Sequence, residues 1–292
     1  MAACDFHTNE QVYKNINPKK YLKDYLSKGI RPQNDRGFLE YRPCVVSVDV
    51  LSKCLSSALV KIGNTTVLCG IRGEFRKPQR KSQDTGFIQI NTKIPDISCP
   101  DSNQRNLGQS MKLCTSFLNR LFIGMKIIDP KELCVFKGEL VWVFHIDVLC
   151  LNYDGGLWDA AVIAVYMALK TVLLPKLEFC LEKHNFTINE NLKEPLNIKD
   201  CPISTTFGVF EEIILADPSL KEERYCRSLF NILIDNDNVK VIQKQGGYPI
   251  SFEQLKGCTD LAKSRYSIMK AALDKVLENH RNKINKKEKS IN

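Results

Sequence analysis

Ser57-Ala58-Leu59-Val60-Lys61-Ile62-Gly63-Asn64-Thr65-Thr66-Val67-Leu68-Cys69-Gly70 is the stretch on which the fold turns. Two β-branched, apolar-rich arms flank a Gly-Asn pair, and such a two-residue loop supplies the positive φ that a tight hairpin needs. Upstream, Cys44 to Val50 alternates in the same period and predicts a further strand. Downstream, Phe87 to Ile94 reads as a strand. Leu107, Met111, Cys114, Leu118, Leu121 and Phe122 then recur at steps of three or four, which predicts an amphipathic helix over 107–125. Leu133 to Phe136, the Lys137-Gly138 turn and the apolar run Leu140 to Asn152 form another hairpin. Tyr153-Asp154-Gly155-Gly156 is a turn, and Leu157 to Leu174 is apolar almost all round, as expected of a core helix ended by Pro175.

The remainder repeats the theme. Before the strands, Asn17 caps a short helix that starts on Pro18, shows Tyr21, Leu22, Tyr25 and Leu26 on one face and stops at Gly29. Residues 177–199 are polar and read as a linker. Ile203 to Val209, Ile213 to Ala216, Leu229 to Ile234 and Val239 to Gln243 are short strands, and Ser251 opens a helix toward His280. Strands followed by a helix, twice, give an α+β fold of two similar strand-and-helix halves. The expected organisation is a helical extension over 1–29, a first domain over 30–176, the linker, a second domain over 200–280 and a solvated basic tail over 281–292.

The chain has 292 residues, 43% hydrophobic and 26% charged, which is ordinary for globular domains and allows about two of them. No apolar run reaches the roughly 18 residues of a membrane span, and Met1 to Glu10 lacks a signal-peptide pattern, so an intracellular protein without a membrane partner is expected. The twelve cysteines are scattered with no CxxC spacing, and the four histidines do not cluster. Reduced thiols in the core are the expectation, with no metal site. The net charge of +9 points weakly to an anionic partner.

Three strings, in order, carry a resemblance. Ile30-Arg31-Pro32 with Asn34-Asp35-Arg36 and Glu40-Tyr41-Arg42 is similar to the opening signature of the ribonuclease PH family, with one extra residue and Asp35 where that signature has glycine. The hairpin quoted above resembles that family's first hairpin. Asp154-Gly155-Gly156 followed by Asp159-Ala160-Ala161 is the third match. The chain looks like a ring subunit of the eukaryotic RNA exosome, from the non-catalytic branch. The resemblance implies a ribonuclease PH-like fold whose first half is ribosomal protein S5 domain 2-like. It also implies a role in 3′-to-5′ RNA processing and decay, including rRNA maturation and mRNA decay, through a separate nuclease. Other ribonuclease PH-like ring subunits, S1- or KH-type caps, a hydrolytic nuclease and single-stranded RNA are the implied partners. Nucleus, nucleolus and cytoplasm are the implied locations.

Active relatives resemble Gly-Gly-Thr-Arg where this chain has Gly155-Gly156-Leu157-Trp158. Phosphorolysis needs a host for inorganic phosphate, and a helix N-terminus with an arginine fork is the natural one. Leucine and indole remove a hydroxyl and a guanidinium, each a contact of about 1.5–3 kcal/mol if charge-assisted, and Asp159 is expected to add repulsion. Matching Phe230-Asn231 to the family's Asp-hydrophobic-Asn ending puts Leu229 at the second catalytic aspartate and Glu223 at the first, where Glu223 reads as an ordinary surface glutamate. No catalytic residue and no cofactor are expected.

Arg72, Arg76, Lys77, Arg80 and Lys81 read as a basic loop, either touching RNA phosphates or merely solvated at a subunit edge. Phe75 is the one aromatic available to stack a base, which favours the solvated reading. Trp142 and Trp158 read as core or interface anchors, and His145 as a hydrogen-bonded core histidine. An active phosphorolytic exoribonuclease and an unrelated module sharing only the architecture remain the competing readings.

Overall fold

The computed structural model describes residues 12–32, 36–78, 82–98, 104–180, 185–200, 202–236, 238–244 and 246–289, with the side chains of 104–107, 177–180, 185–192, 285 and 287–289 excepted. The first half is one mixed sheet of β1 (Cys44–Val48), β2 (Ser56–Ile62), β3 (Thr65–Arg76), β4 (Phe87–Lys93), β5 (Cys134–Phe136) and β6 (Leu140–Asn152). Its order is β1-β2-β3-β6-β4, with β5 beside β6. The hairpin β2–β3 pairs Ile62 with Thr65 around Gly63-Asn64, as its sequence requires. Among the described strands only β4 and β6 run parallel, so a crossover must join them, and α2 (Gln104–Asn119) forms part of it.

Helix α3 (Leu157–Lys170) lies between this sheet and the second. Every residue from Leu157 to Leu169 is buried, which explains why the segment is apolar on all sides. It stops at Lys170, four residues short of Leu174. Thr171 is the C-cap, its hydroxyl donating to the Met167 and Ala168 carbonyls and hydrogen-bonded with Ser56. Beyond it, the residue before Pro175 is biased to extended backbone.

Residues 177–199, expected as a linker, instead hold most of a hairpin of β7 (Leu173–Cys180) and β8 (Asn185–Pro195). The second sheet follows with β9 (Ile203–Phe210), β10 (Ile213–Ala216), β11 (Ser228–Asp235) and β12 (Asn238–Lys244), ordered β10-β9-β11-β12, with α4 (Leu220–Tyr225) between β10 and β11. Helix α5 runs over Phe252–Lys289. The expected solvated tail is therefore helical as far as Lys289, because no glycine or proline interrupts the chain after Gly257.

Helix α1 (Pro18–Ser27) begins as read, with the Asn17 side chain accepting from Lys20 N at 3.2 Å. It docks Leu22 and Leu26 on Phe210 and Leu215 of the second half. One continuous core joins Ala58, Val60 and Phe144 of the first sheet, α3, and Phe207, Phe230 and Ile232 of the second. Cys69, Cys114, Cys150 and Cys258 are buried in it. No described helix is long and apolar enough to cross a membrane.

Candidate functional site

Strand β6 ends in Tyr153-Asp154-Gly155-Gly156, and the turn enters α3 through two left-handed residues, Gly155 at φ +77 and Gly156 at φ +65. A side chain at Gly155 would collide with the Pro218 carbonyl and the Ser219-Leu220 backbone, and one at Gly156 would meet Arg42 and Asp217. Glycine is required twice over, by φ and by the close approach of the second half.

The Arg42 guanidinium is the hub. Its Nε and Nη2 donate to Asp217 Oδ2 and Oδ1 at 2.9 and 2.6 Å. Its Nη1 and Nη2 also donate to the carbonyls of Asp154 and Gly155. Asp217 is itself left-handed at φ +48, fully buried, and takes a third bond from the Arg42 amide at 2.9 Å. Burial disfavours its charge, yet the Arg42 hydrogen bonds and positive charge outweigh that and hold the carboxyl below its ordinary range. Arg36 adds an ion pair to Asp217 at 3.5 Å. Arg31, wholly buried, donates to the carbonyls of Phe38 and Ala216 and lies 3.8 Å from Glu222. The arginines of the opening signature thus form the clamp that ties the Gly155 turn to the β10–α4 corner.

Glu223 is not an ordinary surface glutamate. Half-buried on α4, it accepts from the Gly156 amide at 2.8 Å and from the Tyr153 hydroxyl at 3.0 Å. Burial pushes its carboxyl up to about 7, against the pull of those two donors. The amide at the start of α3 is therefore occupied by a carboxylate of the chain itself. Leu157 and Trp158 turn away into the core, with Trp158 tilted on Phe117 at 4.6 Å between ring centroids. Leu229 lies on β11, paired with Gly208.

Asp159 departs from its expected place. It does not face an anion but is sealed in the seam between the halves, bonded to Ser204 Oγ at 2.7 Å and to Thr206 N and Oγ1 at 2.9 Å, with Arg265 at 3.3 Å. Burial raises its pKa, opposed by Arg265 and Ser204. Its position in the first turn of α3 suggested repulsion of phosphate; partners 45 to 106 residues away decide otherwise.

The basic stretch also departs from its reading. Arg72 and Arg76 belong to β3, not to a loop, and both are in ion pairs, Arg72 with Asp147 at 2.6 Å and Arg76 with Glu74 at 2.7 Å. His145, half-buried, shares Glu74 at 3.0 Å. Phe75 packs on Trp142 at 3.9 Å between centroids. Lys77 is exposed beyond the strand, and Arg80 and Lys81 lie outside the described residues. Among the described residues no three histidine, cysteine or acidic side chains converge on a metal position.

Residues 40–175 match domain 1 of the 3′ exoribonuclease family and residues 200–265 match domain 2. The chain is 28% identical to the exosome complex component rrp43 of Schizosaccharomyces pombe, over 87% of this chain and 94% of that one. It is 32% identical to the exosome complex component Rrp42 of Methanosarcina mazei, over 84% and 88%. Among solved structures it resembles a chain of the Archaeoglobus fulgidus exosome with RNA bound to the active site, at 25% identity and TM-score 0.76, covering 89% of this chain and 99% of that one. Two family domains in the expected order, with the opening arginines, the first hairpin and the Gly155 turn meeting in one clamp, leave one assignment: the chain belongs to the 3′ exoribonuclease, or ribonuclease PH, family.

Proposed function

We propose that the chain is a structural subunit of an exosome-type ring and performs no phosphorolysis itself. The observation that carries this is the Glu223 carboxylate on the Gly156 amide. An N–H that elsewhere serves an anion already has one, and phosphate would have to displace it without help from the Leu157 and Trp158 side chains, which are buried. The relatives named as exosome components support the ring, and ring neighbours of the same fold are the expected partners, with S1- or KH-type caps, a hydrolytic nuclease and RNA beyond them. Nuclear, nucleolar and cytoplasmic residence follows from that role.

Purified chain incubated with single-stranded RNA and inorganic phosphate should release no nucleoside diphosphate. Phosphate-dependent release would overturn the reading and favour an active phosphorolytic exoribonuclease. Tagged chain drawn from cells should bring other ribonuclease PH-like chains with it; recovery as a lone monomer would count against the ring.

A further inference from the structure

Strand β1 pairs only with β2 among the described strands. The Asp49 amide donates to Ser57 O and the Gly63 amide to Pro43 O, so the odd-numbered residues of this strand face β2. In an antiparallel ladder that turns the backbone N–H and C=O groups of Cys44, Val46 and Val48 outward. Alongside that edge runs the last third of α5, whose His280 Nε2 stands 4.0 Å from Asp49 Oδ2. Between strand and helix lies a groove of ≈ 650 Å³. Val46 and Val48 on one wall and Val276 and Ile284 on the other supply its apolar lining, and Lys283 and Lys286 form a basic lip.

We propose that this groove takes an extended acidic segment of a partner protein as an added strand beside β1. An edge with outward backbone groups, next to a helix that leaves room for alternate side chains, is the geometry of strand addition. Backbone pairing supplies affinity, and the apolar lining accepts every second side chain. Two lysines against the single Asp49 select acidic residues at the positions between. RNA fits less well, because the one ring side chain lining the groove among the described residues, His280, stands 4.0 Å from Asp49, and the outward amides and carbonyls repeat at the spacing of a peptide strand. The site lies on β1 and α5, and it does not depend on whether the Gly155 turn binds phosphate.

The test uses the full chain and three fluorescent probes: peptides of about ten residues alternating valine with glutamate or valine with lysine, and an oligoadenylate. The glutamate peptide should bind about tenfold tighter than the lysine peptide, with an affinity that falls as salt rises. Exposed Lys283→Glu and Lys286→Glu together should reverse that preference while leaving the fold intact. Hydrogen exchange should show protection of the Val46 and Val48 amides only when the glutamate peptide is present. Equal or absent binding of the two peptides, tighter binding of the oligoadenylate, or binding without protection at Val46 and Val48 would each overturn the proposal.

Discussion

Asp217 and Glu223 sit six residues apart on the β10–α4 corner and have opposite electrostatic fates. Asp217 is matched by Arg42 in a two-pronged buried pair, and removing one partner of such a pair strands the other charge. Asp217→Ala should therefore destabilise the chain by about 3–5 kcal/mol, read from urea unfolding; a change below 1 kcal/mol would mean the clamp contributes only what a surface pair does. Glu223 has its folded pKa raised from the ordinary 4.5 to about 7. Its folded state binds a proton more readily than the unfolded chain across that window, so its contribution is full below pH 4.5 and is lost as pH rises through 7. Glu223→Gln should flatten this part of the stability curve between those pH values, checked by thermal melts at a series of pH. An unchanged slope would show that Glu223 titrates as in water. The sequence marked Glu223 only through the match to the family's first aspartate, reading it as a surface glutamate, and did not mark Asp217 at all. Asp217 bonds a partner 175 positions away and Glu223 one 67 positions away, and no local period encodes such meetings. Arg42, by contrast, was legible as part of a string.

Among the elements, those readable from sequence are those whose neighbours are close in the chain or whose burial is uniform. The β2–β3 hairpin follows from its turn, and α3 from an unbroken apolar run, although it ends at Lys170. The β7–β8 ribbon was missed although Lys176 to Phe179 and Asn185 to Asn189 alternate polar and apolar residues, because the polar stretch that follows and the two flanking prolines outweighed two short alternating runs. The true length of α5 was hidden for a related reason: past Leu277 its sequence is charged, and a charged run reads as tail unless something packs beside it. The packing is modest but real, with Leu273 and Leu277 buried. Leu273→Ala should cost about 2–5 kcal/mol, whereas Ile268→Ala, 69% exposed in the same helix, should stay within about 0.5 kcal/mol. Equal effects in guanidinium titrations would show that α5 does not pack as described.

For the whole molecule, the two larger sheets, one central helix and a shared core imply that the halves do not behave as independent domains. Asp159 reinforces this, since a first-half carboxylate has its hydrogen bonds and its countercharge in the second half. Unfolding should appear as one transition, with calorimetric and van't Hoff enthalpies in agreement. Residues 200–289 expressed alone should fail to fold, since α3 is missing from their core. Two resolved transitions, or a folded 200–289 fragment, would show that the seam is weaker than its burial suggests.

The Arg42–Asp217 clamp also sets a timetable for biogenesis. At about 5–20 residues per second, the 175 positions between the two take on the order of 10–35 s to translate. Throughout that interval the nascent first half holds an arginine whose burial has no countercharge, and the Gly155 turn lacks the corner that closes over it. The hairpin and its sheet can begin to assemble on the ribosome, but the polypeptide cannot lock until the β10–α4 corner emerges.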